Sequence, residues 1–288
     1  MREAYVGRLC DEISFRKNML ADRSDHFTGQ KNNCMQPVID NKSVSTVFFG
    51  GGTPSLLTPL QLERIMKTLH DEFEFADDAE VTMECNPKTA DYEKLKAFRS
   101  LGINRLSIGL QSMNNDELKV LGRIHTAEDF QRTYDDAGKA GFDNINIDLM
   151  SALPGQTLAD YERTLNKVLE IRPKHISAYS LIIEPGTAFW DIYGEECGGK
   201  HADKTEEKDE VIRDSDLVLP DEDTEREMYH MTKRKLEEKG YERYEISNYS
   251  LPGYECRHNM TYWRRGDYLG LGLGASGMID GIRFKNTG

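Results

Sequence analysis

The chain has 288 residues, 38% hydrophobic and 30% charged, enough for a sizeable core in one large domain or two modest ones. Its 37 Lys plus Arg against 50 Asp plus Glu leave a net charge of −13, which repels phosphate backbones and argues against nucleic acid as a partner. With no apolar run near the roughly 18 residues of a membrane span and no signal-peptide pattern after Met1, a cytoplasmic protein without a transmembrane segment is expected.

The predicted elements begin with a helix over 3–20, with Tyr5, Leu9 and Ile13 on one stripe, and a polar loop over 22–43. A strand over 44–49 ends in Gly50-Gly51-Gly52. A helix over 60–73 follows, with Thr58-Pro59 as its N-cap and first turn. Strands over 80–84, 105–110, 144–150 and 175–183 then alternate with helices over 91–101, 128–140 and 158–171. Gly102, Gly141 and Pro173 stop those helices. Five strands separated by helices imply an α/β fold with parallel pairing and right-handed crossovers. Either an open or partial barrel or a doubly wound sheet satisfies this, and both place a site at the carboxyl ends of the strands. Residues 194–220 are dense in Asp, Glu and Lys and read as a solvated insertion. A helix over 221–239 precedes a Tyr- and Gly-rich tail of short strand-like runs. The expected organisation is a partial barrel over 1–193, the charged insertion 194–220 and an extension over 221–288.

The strand ends carry the candidate chemistry. Gly50-Gly51-Gly52-Thr53-Pro54 either forms a tight turn or exposes backbone groups to a ligand. Glu84, in Glu84-Cys85-Asn86-Pro87, either holds an ammonium group or serves as a cap or ion-pair partner. Gln111 offers a donor and an acceptor. Arg123 is either a surface cation or a bidentate clamp for a carboxylate. Asp148 stands where a carboxylate accepts ribose hydroxyl protons. Taken in order, these groups suit an amino-acid nucleoside such as S-adenosylmethionine. In the tail, His258 is a candidate axial iron ligand, with Tyr262 and Trp263 as aromatic surface for a porphyrin face. The other reading is a structural His–Trp cluster; Cys256 is a second candidate ligand.

These motifs, with Ser107-Ile108-Gly109-Leu110-Gln111-Ser112, Leu121-Gly122-Arg123, Leu153-Pro154-Gly155-Gln156-Thr157 and Glu184-Pro185-Gly186-Thr187, occur in the same order in the HemN/HemW family of radical S-adenosylmethionine proteins. The resemblance spans essentially the whole chain. It implies a partial (β/α)6 radical SAM barrel in which Gly51, Gly52, Thr53, Glu84, Gln111, Arg123 and Asp148 contact S-adenosylmethionine. The tail, with Tyr244-Glu245-Ile246-Ser247-Asn248 and His258-Asn259-Met260-Thr261-Tyr262-Trp263, resembles the HemW branch. That branch implies a heme chaperone that binds heme through this element and passes it to an acceptor hemoprotein. The alternatives are an oxygen-independent coproporphyrinogen III oxidase and an inactive binding module.

The family holds a [4Fe–4S] cluster with Cys-x-x-x-Cys-x-x-Cys, and this sequence contains no such motif. Cys10, Cys34, Cys85, Cys197 and Cys256 are too scattered to replace it, so no metal ligand and no catalytic residue is assigned. The chain starts in what resembles the helix after the cluster loop and stops before the family's C-terminal domain. A fragment lacking the first barrel strand is therefore expected, because a natural protein without that strand would expose a sheet edge.

Overall fold

A computed structural model describes residues 2–26, 43–194 and 217–287, with the side chains of 19–26 left aside. The expected loop over 22–43 and the charged insertion fall mostly outside these residues, as do Cys34 and Cys197.

The described elements are, in order, α1 (Arg2–His26), β1 (Val44–Phe49), α2 (Pro59–Glu72), β2 (Phe75–Cys85), α3 (Tyr92–Ser100), β3 (Arg105–Gln111), α4 (Asn115–Val120), α5 (Ala127–Lys139), β4 (Asn144–Ser151), α6 (Leu158–Ile171), β5 (His175–Ser180), α7 (Ala188–Tyr193), α8 (Glu222–Glu238), β6 (Glu242–Arg243), β7 (Asn248–Ser250), α9 (Arg257–Trp263), β8 (Ser276–Ile279) and β9 (Ile282–Lys285). Strands β1 to β7 form one sheet in the order β1-β2-β3-β4-β5-β7-β6; β8 and β9 form a separate hairpin. β1 pairs parallel with β2, and β2 with β3, in the registers Thr46↔Glu80 and Thr82↔Arg105. β7 pairs antiparallel with both β5 and β6.

The five expected strands are therefore present, as are the principal helices. Two strands differ in extent by more than one residue. β2 starts at Phe75, because its polar opening is recruited by pairing with Val44. β5 stops at Ser180, short of the expected residue 183. The tail holds the short strands expected of it, β6 to β9, and also a helix, Arg257–Trp263, that the sequence pattern does not single out. Seven residues are too few for helical periodicity to declare itself.

The chain packs as two compact units. The first comprises Met1–Gly109, Gln131–Asn146 and Gly253–Gly288; the second comprises Leu110–Phe130 and Ile147–Pro252. In the first, α2 buries Leu62, Ile65, Met66 and Leu69, and α3 buries Leu95 and Phe98. α1 buries Val6, Cys10 and Ile13, while Tyr5 of the expected stripe is largely exposed. In the second unit, Tyr161 of α6 packs with Met228 and Met231 of α8, and its hydroxyl meets Thr232 Oγ1 at 2.8 Å. Capping fixes where the helices start. Thr58 with Gln61 closes a capping box on α2, and Thr157 with Asp160 does so on α6. Among the described residues no helix is long and apolar enough to cross a membrane.

Candidate functional site

The residues expected to hold S-adenosylmethionine divide between the units, with Gly51, Gly52, Thr53 and Glu84 in the first and Gln111, Arg123 and Asp148 in the second.

In the first unit the glycine turn leaves β1 with Gly51 at φ +76° and Gly52 at φ +52°. Only glycine adopts such angles without strain. Nothing lies within 4 Å of a Cβ added at either position, so backbone geometry, not crowding, demands glycine there. Gly50 is the crowded one, where an added Cβ would stand 2.8 Å from the Phe48 ring. The Gly51 N–H donates to Glu84 Oε2 at 3.1 Å, so Glu84 anchors the turn. Asn86 Nδ2 donates to Thr53 Oγ1 at 3.2 Å, and the Asn86 N–H donates to Ser55 Oγ at 3.3 Å. The motif after β2 thus holds the turn after β1, which is why the two occur together. Cys85 is buried, and burial pushes its thiol up.

In the second unit Gln111 ends β3 buried and at φ +69°, an angle uncommon outside glycine. Its Oε1 accepts the Tyr179 hydroxyl at 3.2 Å. Arg123 is placed by the end of α4. The Arg123 N–H donates to Leu118 O at 2.9 Å and the Gly122 N–H to Lys119 O at 2.9 Å, with Gly122 at φ +65°. This is the Schellman geometry, which gives the Leu-Gly-Arg sequence its local reason. His125, two residues on, is buried and its Nε2 lies 3.2 Å from Leu110 O, the carbonyl just before Gln111. Burial lowers the His125 pKa, so the ring is neutral and supports the strand end without charge. Asp148 is half-buried on β4. The sequence reading missed His125 and Tyr179. Only their closeness in sequence to the glycines and to Gln111 could have pointed to the first, and nothing local to the second.

The tail element sits in the first unit. α9 places His258 and Tyr262 one turn apart. His258 Nδ1 lies 2.9 Å from Thr46 Oγ1, and Nε2 lies 2.8 Å from the Tyr262 hydroxyl. The ring stacks on Phe48 with centroids 5.1 Å apart, and Tyr262 meets Tyr268 edge-on at 4.5 Å. The buried Glu80 carboxylate accepts the Arg257 N–H at 3.1 Å, the His258 N–H at 3.2 Å and the Cys256 thiol at 3.5 Å. Burial pushes His258 below its ordinary pKa, opposed by Glu80 and reinforced by Arg105. The imidazole is thus neutral at pH 7, the form that ligates metals. Tyr262, whose ring meets His258 edge-on with centroids 5.0 Å apart, is 44% exposed, and Trp263 at the end of α9 is 52% exposed. Cys256 is buried and its thiol is pushed up by that burial.

The described cysteines, Cys10, Cys85 and Cys256, are all buried and free of disulfides. Among the described residues no three His, Cys, Asp or Glu side chains gather in a way that would hold a metal ion. The described residues therefore do not fit an iron–sulfur cluster.

A profile of the radical SAM superfamily matches residues 36–168. The chain is 38% identical over 247 residues to a Lactococcus lactis protein named heme chaperone HemW, covering 86% of this chain and 60% of that one. It is 36% identical over 280 residues to the mitochondrial radical S-adenosyl methionine domain-containing protein 1 of Danio rerio, covering 95% of this chain and 58% of that one. The chain thus spans about 60% of the length of the curated relatives it matches. Its fold, an α/β partial parallel barrel, is that of the coproporphyrinogen III oxidase HemN from Escherichia coli. The TM-score is 0.74 at 24% identity, covering 99% of this chain and 59% of that one. Residues 36–168 thus match the radical SAM superfamily, and most of the chain is similar to proteins named heme chaperone HemW.

Proposed function

We propose that this chain handles heme in the manner of a HemW-type chaperone, with heme as cargo for an acceptor hemoprotein and S-adenosylmethionine as a bound ligand. The observation that carries the heme reading is His258 with the part-exposed Tyr262 ring against it and the exposed Trp263 on the same short helix, and burial, which lowers the His258 pKa, favours the neutral form that ligates iron. Both His258 nitrogens are hydrogen-bonded. Iron ligation would therefore replace one partner, and the exposed Tyr262 hydroxyl is the easier to displace. Tyr262 and Trp263 would then offer aromatic surface to a porphyrin face. The names of relatives such as the Lactococcus lactis protein support the same reading.

For S-adenosylmethionine, the open space over Gly51 and Gly52 fits a ligand that contacts backbone. By the same resemblance, Glu84 and Thr53 of the first unit are proposed as contacts for its amino group, and, in the second unit, Arg123 for a carboxylate, Gln111 as donor and acceptor and Asp148 for ribose hydroxyls. No step is assigned to an iron–sulfur cluster, for which the described residues offer no ligand set.

A Soret titration of the chain with heme tests the cargo reading. His258→Ala is expected to weaken binding and shift the band, and Tyr262→Phe to leave or strengthen ligation; identical titrations for parent and His258→Ala would remove His258 as ligand. Anaerobic incubation with coproporphyrinogen III discriminates the oxidase alternative, since a chaperone leaves it unchanged. Calorimetry of Asp148→Ala tests the ribose contact, and an affinity for S-adenosylmethionine equal to the parent's would sink it.

A further inference from the structure

Glu117 belongs to none of the sites above. It lies in the first turn of α4 and is only 6% exposed. Its Oε2 accepts Ser112 Oγ at 2.5 Å and Gln156 Nε2 at 2.9 Å. Its Oε1 is buried without any hydrogen-bond partner. A carboxyl in that state is a costly tenant, and an apolar residue would fill the same space without the desolvation. What it joins gives the expense a use.

Ser112 follows Gln111, the residue held at positive φ, and Ser112 Oγ also accepts the Asn114 N–H at 2.9 Å. That bond closes the turn from β3 into α4. At the other end of α4, the Leu121 N–H donates to Glu117 O at 3.0 Å, and the Schellman turn carrying Arg123 follows directly. Gln156 Oε1 accepts the Leu153 N–H at 3.4 Å, so the second arm of the network grips the loop leaving β4, the strand of Asp148. A single carboxyl therefore connects the outlets of Gln111, Arg123 and Asp148, all within the second unit.

We infer that Glu117 is a positioning residue: it fixes the β3–α4 turn and ties it to the loop after β4, so that Gln111, Arg123 and Asp148 are presented together to S-adenosylmethionine. This rests on the reading of those three residues as ligands of that molecule. Burial raises the Glu117 pKa against the opposing bonds from Ser112 and Gln156, and nearby Asp160 adds to the rise, which suits a carboxyl that shares hydrogen bonds and forms no ion pair.

The test uses the whole chain and two readouts, calorimetric affinity for S-adenosylmethionine and amide hydrogen exchange. Glu117→Ala should weaken affinity by roughly tenfold or more. It should also speed exchange in 110–124 and 152–157 together, leaving 44–85 unchanged. Glu117→Gln, which keeps an acceptor for Ser112 and Gln156, should restore most of the affinity. Gln156→Ala combined with Glu117→Ala should be no weaker than Glu117→Ala alone, because the two act through one bond. Thr232→Val, which removes the Tyr161 bond elsewhere in the unit, controls for general destabilisation and should leave affinity unchanged. If the parent binds and Glu117→Ala binds equally, or if exchange rises in only one of the two segments, Glu117 does not couple them and the inference is overturned. A parent with no affinity while both segments loosen in Glu117→Ala would instead overturn the ligand reading and leave the coupling standing.

Discussion

The glycine turn after β1 and the turn after β3 meet the same demand in opposite ways. Both end a strand with a residue at positive φ, Gly51 at +76° and Gln111 at +69°. In the first, the side chain is deleted and the backbone is left facing open space. In the second, a side chain is kept, held by the exposed Tyr179 and by the buried His125, Ser112 and Glu117 around the strand end. Glycine gives a permissive surface held by one carboxylate at its rim. Gln111 gives a specific donor and acceptor, at the expense of backbone strain that the surrounding packing must hold.

The largest effect expected from this contrast is in the packing beneath Gln111. Leu110→Ala, at a side chain with no exposure, should lower stability by about 3 kcal/mol in urea unfolding. A loss under about 1 kcal/mol would mean that the β3 end is not the rigid platform the comparison requires.

Next come the two positive-φ residues themselves. Gly51→Ala should cost roughly 1–2 kcal/mol through backbone strain alone, since its surroundings are empty. Gln111→Gly should relieve strain while losing the Tyr179 bond, leaving stability within about 1 kcal/mol of the parent. Affinity for S-adenosylmethionine should nevertheless fall in Gln111→Gly. If both variants lost stability equally, the distinction between a deleted and a supported side chain would fail.

The helix caps offer a comparison that should show no difference. Thr58→Ala in the first unit and Thr157→Ala in the second each remove a capping box and should each cost about 1 kcal/mol, read by thermal or urea unfolding. A clearly unequal pair would show that one unit unfolds separately from the other.

The smallest effects, and the most diagnostic, are in pH. Glu117 has a raised pKa when folded, so the native state binds its proton more tightly. Its contribution to stability is full below the ordinary carboxylate value and is lost as pH rises through the raised one. His258 is lowered, so its contribution is full above the ordinary histidine value and is lost as pH falls through the depressed one. Glu117→Gln should flatten the first slope and His258→Gln the second, in urea titrations across pH 4 to 8. A common direction for both slopes would contradict the two burial patterns.

Much of the architecture was legible before the structure. The β-branched runs, the 3.6-residue stripes and the stops at Gly102 and Gly141 marked the alternating strands and helices. Thr58-Pro59 marked the start of α2 because a cap acts within four residues. Short elements were not legible. α4, α7 and α9 span six or seven residues, and β6 only two, too few for any period to show. On α1, the expected stripe through Tyr5 and Leu9 turned out to be the one through Val6 and Cys10, because Ile13 fits either face until a partner is chosen.

The sequence by itself determined the order of strands and helices, the glycines at the strand ends and the chemical types of the candidate ligands, since all of these depend on neighbours a few residues away. Only the tertiary structure decided which groups lose water and which meet. Burial lowers the His258 pKa, and one ring nitrogen meets Thr46, 212 residues earlier. Glu117 is a buried acid because Gln156, 39 residues later, reaches it. Burial and hydrogen bonding are set by packing across the chain, and no local pattern encodes them.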